Sequence, residues 1–144
     1  MAAVRVLVDT QVWVDHFHHA EPQLMRLLHE GEVVMHPFIV GELALSNLEE
    51  RDRVLKLLGD LESVVVASPQ EVLQLVGLRN LHGLGLGYVD IHLLASVLIS
   101  PGTSLWTRDY QLLRVAKDLG LQPPIQDRFF MHDEHLPYSG GKQA

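Results

Sequence analysis

The stretch "VRVLVDTQVWVDHF", residues 4–17, decides the fold. Val4, Val6, Leu7 and Val8 form a short β-branched run of the kind that fills a buried strand. The run stops abruptly on Asp9 and Thr10. A carboxylate at the end of a core strand has two readings. It caps the helix that follows by accepting its first N–H groups. Or it belongs to a site, because in open α/β sheets the chemistry gathers outside the carboxyl ends of the strands.

Outward from this strand the pattern alternates. Leu24, Leu27 and Leu28 at helical spacing predict a helix over 21–32, with Gly31 as its terminator. "VVMH", 33–36, reads as a second strand, and Pro37 opens a helix through "FIVGELALSNL". An amphipathic helix is expected over 50–61, a short strand at "VVVA", 64–67, and a helix from Pro69. "GLGLG", 83–87, reads as a flexible hinge before a helix over 88–99. "TSLWT", 103–107, reads as a strand, and 109–120 as a helix closed by Gly120. Strands alternating with helices imply an α/β fold, a central parallel sheet flanked by helices on both faces. There is no internal repeat or interdomain linker, so the domain is drawn as 1–125. Residues 126–144, with Pro137 and the ending "SGGKQA", are expected to form an extended or partly disordered C-terminal tail.

A chain of 144 residues suits one domain with a substantial core, and 47% hydrophobic with 20% charged residues is ordinary for a globular protein. No apolar run is long enough to cross a bilayer, and the N-terminus lacks a signal-peptide pattern, so a cytoplasmic location without membrane partners is expected. The absence of cysteine excludes disulfides and thiolate metal sites and fits a reducing compartment. The formal charge of −7 argues against binding nucleic acid through a general electrostatic field. A polyanionic substrate would need local basic residues, or cations held in an acidic site.

Four of the 18 acidic residues are out of place on an ordinary surface. Asp9 ends the first strand. Asp90, in "YVDIHLLASVLIS", has Leu93, Leu94 and Val97 as its i+3, i+4 and i+7 neighbours, so it lies along an apolar stripe, with His92 and Ser96 on other faces. An unpaired carboxylate there is costly and asks for a partner or a cation, unless it is a cap at the helix start. Asp109 follows the strand "SLWT", either as a helix cap or as a second carboxylate at a strand's end. Glu42 sits within "PFIVGELALSNLEE", where Ser46 and Glu49 on its face suit a solvent-facing stripe equally well. If the four converge, their repulsion must be relieved by protons or by a divalent ion. An all-oxygen cluster suits Mg²⁺ or Mn²⁺, and such ions activate water and steady a phosphoryl centre during in-line attack.

In these motifs the chain resembles a PIN domain, and more narrowly the VapC-type toxins of bacterial toxin–antitoxin modules. The resemblance covers about residues 4–125. "VLVDTQVWVD" resembles the family's opening aspartate motif, which makes Asp9 a metal ligand with Thr10 as its supporting neighbour. "VGELAL" resembles the helix-borne glutamate and brings Glu42 into the site, against its pattern-only reading. "GYVDIHLLAS" matches the third acidic motif through Asp90, and "LWTRDYQLLRVAKDLGL" the fourth through Thr107 and Asp109. The resemblance implies a Mg²⁺- or Mn²⁺-dependent endoribonuclease acting on RNA. It also implies a homodimer or a hetero-oligomer with a small VapB-like antitoxin. On this reading Asp9, Glu42, Asp90 and Asp109 hold the metal and carry catalysis, while Thr10 and Thr107 orient carboxylates by hydrogen bonds. Arg108 is a candidate phosphate contact or an ordinary exposed arginine.

Two other readings compete. A receiver-type phosphoacceptor domain needs an acceptor Asp on a central strand, and "VVVA" ends without one. A catalytically inactive PIN-like module that only binds RNA or protein is argued against by the four intact carboxylates. The histidines of "DHFHH", 15–19, expected in a loop after the first helix, and His132 and His135 in the tail, read as solvated polar residues rather than ligands.

Overall fold

The computed structural model describes residues 4–129. The chain runs β1 (Arg5–Val8), α1 (Thr10–His18), α2 (Pro22–His29), β2 (Val33–Val34), α3 (Pro37–Ala44), α4 (Arg51–Gly59), α5 (Pro69–Arg79), α6 (Tyr88–Ile99), β3 (Thr103–Trp106) and α7 (Tyr110–Asp118). The strands form a parallel sheet in the order β2-β1-β3. Val6, Leu7 and Val8 point alternately to opposite faces, yet each is fully buried. Both faces of the central strand are therefore covered, as expected for a parallel sheet whose crossovers are helices. Gly31 and Gly120 take the left-handed conformation that ends α2 and α7.

The register of β1 on β3 positions the site. Leu7 pairs with Leu105 and Val8 with Trp106, so the strands end level. Asp9 N–H donates to the Trp106 carbonyl at 2.9 Å, which carries the pairing one residue past the strand. Asp9 and Thr107 thus emerge side by side from the same edge of the core.

Two expectations are corrected. "VVVA", 64–67, is not a strand: parallel pairing beside β2 is limited to the Met35–Ser63 bridge. Val64 N–H still donates to the Met35 carbonyl, but the N–H groups of Val65 and Ala67 turn to α6 and its C-cap instead. Val65 N–H donates to Ser100 Oγ at 2.9 Å and Ala67 N–H to Ser96 Oγ at 3.0 Å. Two hydroxyls on one helix face satisfy the backbone groups that a neighbouring strand would otherwise take. Second, "DHFHH" is not a loop, because α1 continues to His18, and His16 Nδ1 accepts from Glu21 N–H at 3.0 Å. The chain after α7 returns beside β3, where Leu105 N–H donates to the Leu121 carbonyl at 2.8 Å, and Asp127 is only 5% exposed. The rest of the expected tail, with His132 and His135, lies outside the described residues.

α6 crosses the core, and every residue from Ile91 to Val97 is buried. His92 and Ser96, read from the sequence as lying off the apolar stripe, are buried with it. The stripe behind Asp90 is as expected: Leu93, Leu94 and Val97 are essentially inaccessible.

Candidate active site

Three of the four singled-out carboxylates sit at the start of a helix. Asp9 is the N-cap of α1 and accepts from Thr10 N–H through Oδ1 at 2.8 Å. Asp109 is the N-cap of α7 and accepts from Leu112 N–H at 2.9 Å. Asp90 lies in the first turn of α6 and accepts from Gly87 N–H at 3.0 Å. The capping readings of the sequence are therefore true of all three. They do not compete with a site reading, because a carboxylate has lone pairs to spare after one capping bond. The helix N-termini also supply partial positive charge, which offsets some of the cost of gathering acids. Glu42 comes from the second turn of α3 and is exposed.

Hydroxyls tie the cluster together. Thr107 Oγ1 donates to Asp9 Oδ2 at 2.8 Å and accepts from Asp109 N–H at 3.0 Å. One buried threonine thus links the carboxylate after β1 to the backbone of the one after β3. Thr10 Oγ1 donates to Glu42 Oε1 in a short hydrogen bond, joining α1 to α3. Asp9, Thr10, Glu42, Thr107 and Asp109 form one hydrogen-bonded chain.

Asp90 joins this group through its field. Burial raises the Asp90 carboxyl above the usual range, the Gly87 N–H opposes that rise, and repulsion from Asp109 and Glu42 adds to it. Burial likewise raises Asp9; its bonds from Thr107 and Thr10 act against this, and repulsion from Asp90 and Glu42 acts with it. The four carboxylates therefore feel one another across the ends of β1 and β3. Among the described residues, no three acidic or imidazole side chains are close enough to enclose an ion as they lie. Each carboxylate stands apart on its own hydrogen-bond partner. The donor set is nevertheless all oxygen, with two members held above their normal pKa by burial and like charge. That chemistry fits a hard divalent cation, which would neutralise the repulsion.

Arg108 is neither exposed nor available to a phosphate. Its side chain is 6% exposed. Nε and Nη2 grip Asp127 at 2.8 and 3.1 Å, Nη1 donates to Asp15 at 2.6 Å, and Nη2 to Glu21 at 2.9 Å. Burial alone would lower its pKa, but the three carboxylates more than reverse this and raise it. Burial would raise Asp127, yet the bonds from Arg108, the Trp106 indole and Phe129 N–H hold it below the usual carboxylate range. The sequence reading missed this cluster. Its members are scattered over four segments, and Asp127 lies just after a Pro-rich stretch with no periodic apolar pattern around it. Trp13 is buried with its indole N–H on the Val8 carbonyl at 3.1 Å, while Phe17 is 39% exposed.

Comparison with known proteins gives the same picture. Two proteins named Ribonuclease VapC32 match, from Mycobacterium tuberculosis strains CDC 1551 / Oshkosh and ATCC 25618 / H37Rv. Each is 45% identical to this chain over 116 residues, covering 81% of this chain and 94% of the relative. The PIN domain family model matches residues 6–118, a span that begins in β1, ends with α7 and contains all four carboxylates. With that match laid over a parallel sheet whose strand ends present Asp9 and Asp109, the chain belongs to the PIN domain family.

Proposed function

We propose that this protein is a divalent-metal-dependent endoribonuclease that cleaves RNA phosphodiester bonds and acts as the toxin of a toxin–antitoxin module. The observation that carries the reading is the mutual field of Asp9, Glu42, Asp90 and Asp109 across the ends of β1 and β3. The ribonucleases at 45% identity support the choice of RNA as substrate. In a chain of net charge −7, such a cluster is also the means by which a phosphodiester is approached.

Asp9, Asp90 and Asp109 would hold the cation, Mg²⁺ or Mn²⁺, with Glu42 as the fourth acidic member of the set. When bound, the ion supplies charge neutralisation at the phosphate and activation of water as the nucleophile. The rest is work by the protein's own groups. Thr107 fixes the orientation of Asp9 by donating to Oδ2, and holds Asp109 through its backbone. Thr10 fixes Glu42 against α1. The burial of Asp9 and Asp90 leaves their charge poorly screened by solvent, so they attract a dication more strongly than surface acids do.

The partners proposed are a VapB-like antitoxin and a second copy of the chain, in a homodimer or a toxin–antitoxin hetero-oligomer, in the cytoplasm. No described helix is long and apolar enough to cross a membrane.

The test is incubation of total RNA with the purified full chain in Mg²⁺, Mn²⁺ or EDTA, beside an Asp90→Asn control. Discrete fragments that need metal and vanish in the variant are expected. A folded, antitoxin-free protein that binds RNA without metal-dependent cleavage would overturn the enzyme reading in favour of a binding module.

A further inference from the structure

Residues 106–108 run as an extended segment out of β3, and alternate side chains of such a segment point to opposite sides. The hydrogen bonds bear this out. Thr107 points forward to Asp9, at 2.8 Å. Trp106 and Arg108, on either side of it in sequence, both point back to a single carboxylate. Trp106 Nε1 and Arg108 Nε each donate to Asp127 Oδ2 at 2.8 Å. Asp127 is 5% exposed, and its other oxygen accepts from Arg108 Nη2 and Phe129 N–H. It lies nine residues beyond the span that matches the PIN domain family, which ends at 118.

We propose that Asp127 is a positioning residue for the acidic site: it pins the residues flanking Thr107 from behind, and so sets the hydroxyl that aligns Asp9 and the backbone that carries Asp109. This rests on the metal-dependent reading of the site. A planar peptide chain transmits the displacement. If residues 106 and 108 lose their common anchor, Thr107 cannot keep its Oγ1 within hydrogen-bond reach of both Asp9 Oδ2 and Asp109 N–H. The remaining partners of Arg108 do not substitute. Asp15 lies on α1 and Glu21 just before α2, so with Asp127 neutral the guanidinium is drawn toward those helices and away from Trp106. The segment after α7 thereby becomes part of the functional unit, although it contributes no group to the cluster itself.

The experiment measures Mn²⁺ binding to the full chain without RNA, from the loss of the free-ion electron paramagnetic resonance signal, together with RNA cleavage kinetics. Asp127→Asn keeps an oxygen acceptor for the indole but loses the charge that holds Arg108. The expected result is Mn²⁺ affinity weaker by about tenfold, the low end for losing a partner that orients a metal ligand. Cleavage should show a comparable fall in kcat at fixed Mn²⁺, with KM for RNA within about twofold. Asp127→Glu, which keeps the charge but displaces the anchor by one methylene, should show the same direction and serves if the first variant does not fold. Val72→Ala, a fully buried α5 residue belonging to neither cluster, is the control for a purely structural effect. It should lower the melting temperature and leave Mn²⁺ affinity unchanged.

If the Asp127 variants behave like Val72→Ala, less stable but with wild-type Mn²⁺ affinity and kcat, the positioning role is overturned while the nuclease reading stands. A wild-type protein that neither binds Mn²⁺ nor cleaves RNA would instead sink the reading on which this inference rests, and the inference with it.

Discussion

Asp90→Asn should make the protein more stable and inactive at once. Asp90 is half-buried, with Asp109 and Glu42 as like charges acting on it. A like-charge pair about 4 Å apart repels by about 1 kcal/mol in water and about 4 kcal/mol at an effective dielectric of 20. The carboxylates stand apart and both neighbours are exposed, so each pair repels by less than that lower figure, and relief of the half-buried charge together with the two repulsions is on the order of 1–2 kcal/mol. Against this, a negative charge in the first turn of α6 is itself worth about 0.5–1 kcal/mol, and the variant loses it. The bond from Gly87 N–H survives, because the amide oxygen of Asn accepts it. The net is a gain on the order of 1 kcal/mol, or about 3–5 °C in melting temperature for a chain of this size.

The pH dependence fixes the sign of that effect. The folded protein holds the Asp90 proton more tightly than the unfolded chain does, so the stability this proton confers is complete below 3.8 and is lost as pH rises through the higher folded value. The advantage of the variant is therefore absent near pH 3 and full at pH 7. Metal reverses the order. At a Mn²⁺ concentration about a hundred times its Kd, wild type gains about 2.7 kcal/mol and overtakes a variant that binds poorly. The assay is differential scanning calorimetry of both proteins in EDTA at pH 3.5 and pH 7, then in Mn²⁺ at pH 7. A variant less stable than wild type at pH 7 in EDTA, or an advantage undiminished at pH 3.5, would refute the claim that the site is a repelling cluster.

Three further outcomes are expected. Thr107→Val removes the one hydroxyl that serves both Asp9 and Asp109; it should cost about 1–3 kcal/mol and weaken Mn²⁺ binding by about 10–100-fold, measured by urea unfolding and metal titration. His36, fully buried, has its pKa lowered to about 4 by burial and by His92. Its neutral form is the stable one, so stability should fall as pH drops from about 6.5 toward 4, by up to about 2 kcal/mol at pH 5. His36→Asn, which keeps a side-chain acceptor for Phe38 N–H, should flatten that slope in urea midpoints taken at pH 5 and 7, and an unchanged slope would count against the assignment. Ser96→Ala orphans Ala67 N–H and should cost about 1–3 kcal/mol in urea unfolding; a neutral substitution would mean that α6 does not anchor the 64–67 segment.

The element pattern was legible because it was written in local chemistry. A β-branched run made β1, Pro37 and Pro69 sit at helix starts, and Gly31 and Gly120 take the conformation that ends α2 and α7. "VVVA" shows where local chemistry stops being sufficient. Val64–Val66 carry the composition of a strand, but a strand needs a partner edge. The edge lost the competition to two serine hydroxyls, on α6 and at its C-cap, one of them 29 residues away from the N–H it accepts. Composition records what a segment prefers, whereas pairing depends on which acceptor the tertiary fold brings within reach.

The site divides along the same line. Asp9, Asp90 and Asp109 were visible because each breaks a rule at its own position, a carboxylate at a strand end or on an apolar stripe. Each is also a helix cap, and the two roles coexist. A helix N-terminus is the least costly place in a fold to hold an acid, so a cluster of acids assembled from several helix starts should consist of residues that look like caps. Glu42 breaks no local rule, and only its resemblance to a family motif brought it in. Arg108 and Asp127 break rules only as a pair. Alone, one is an arginine after a strand and the other an acid just after a Pro-rich stretch. Buried together, each becomes the condition for the other: an unpaired guanidinium or carboxylate at that depth would cost several kcal/mol. Partners 19 residues apart, across a helix, leave no periodic trace. For that reason composition gives no cue to Asp127, two residues past the boundary drawn at 125.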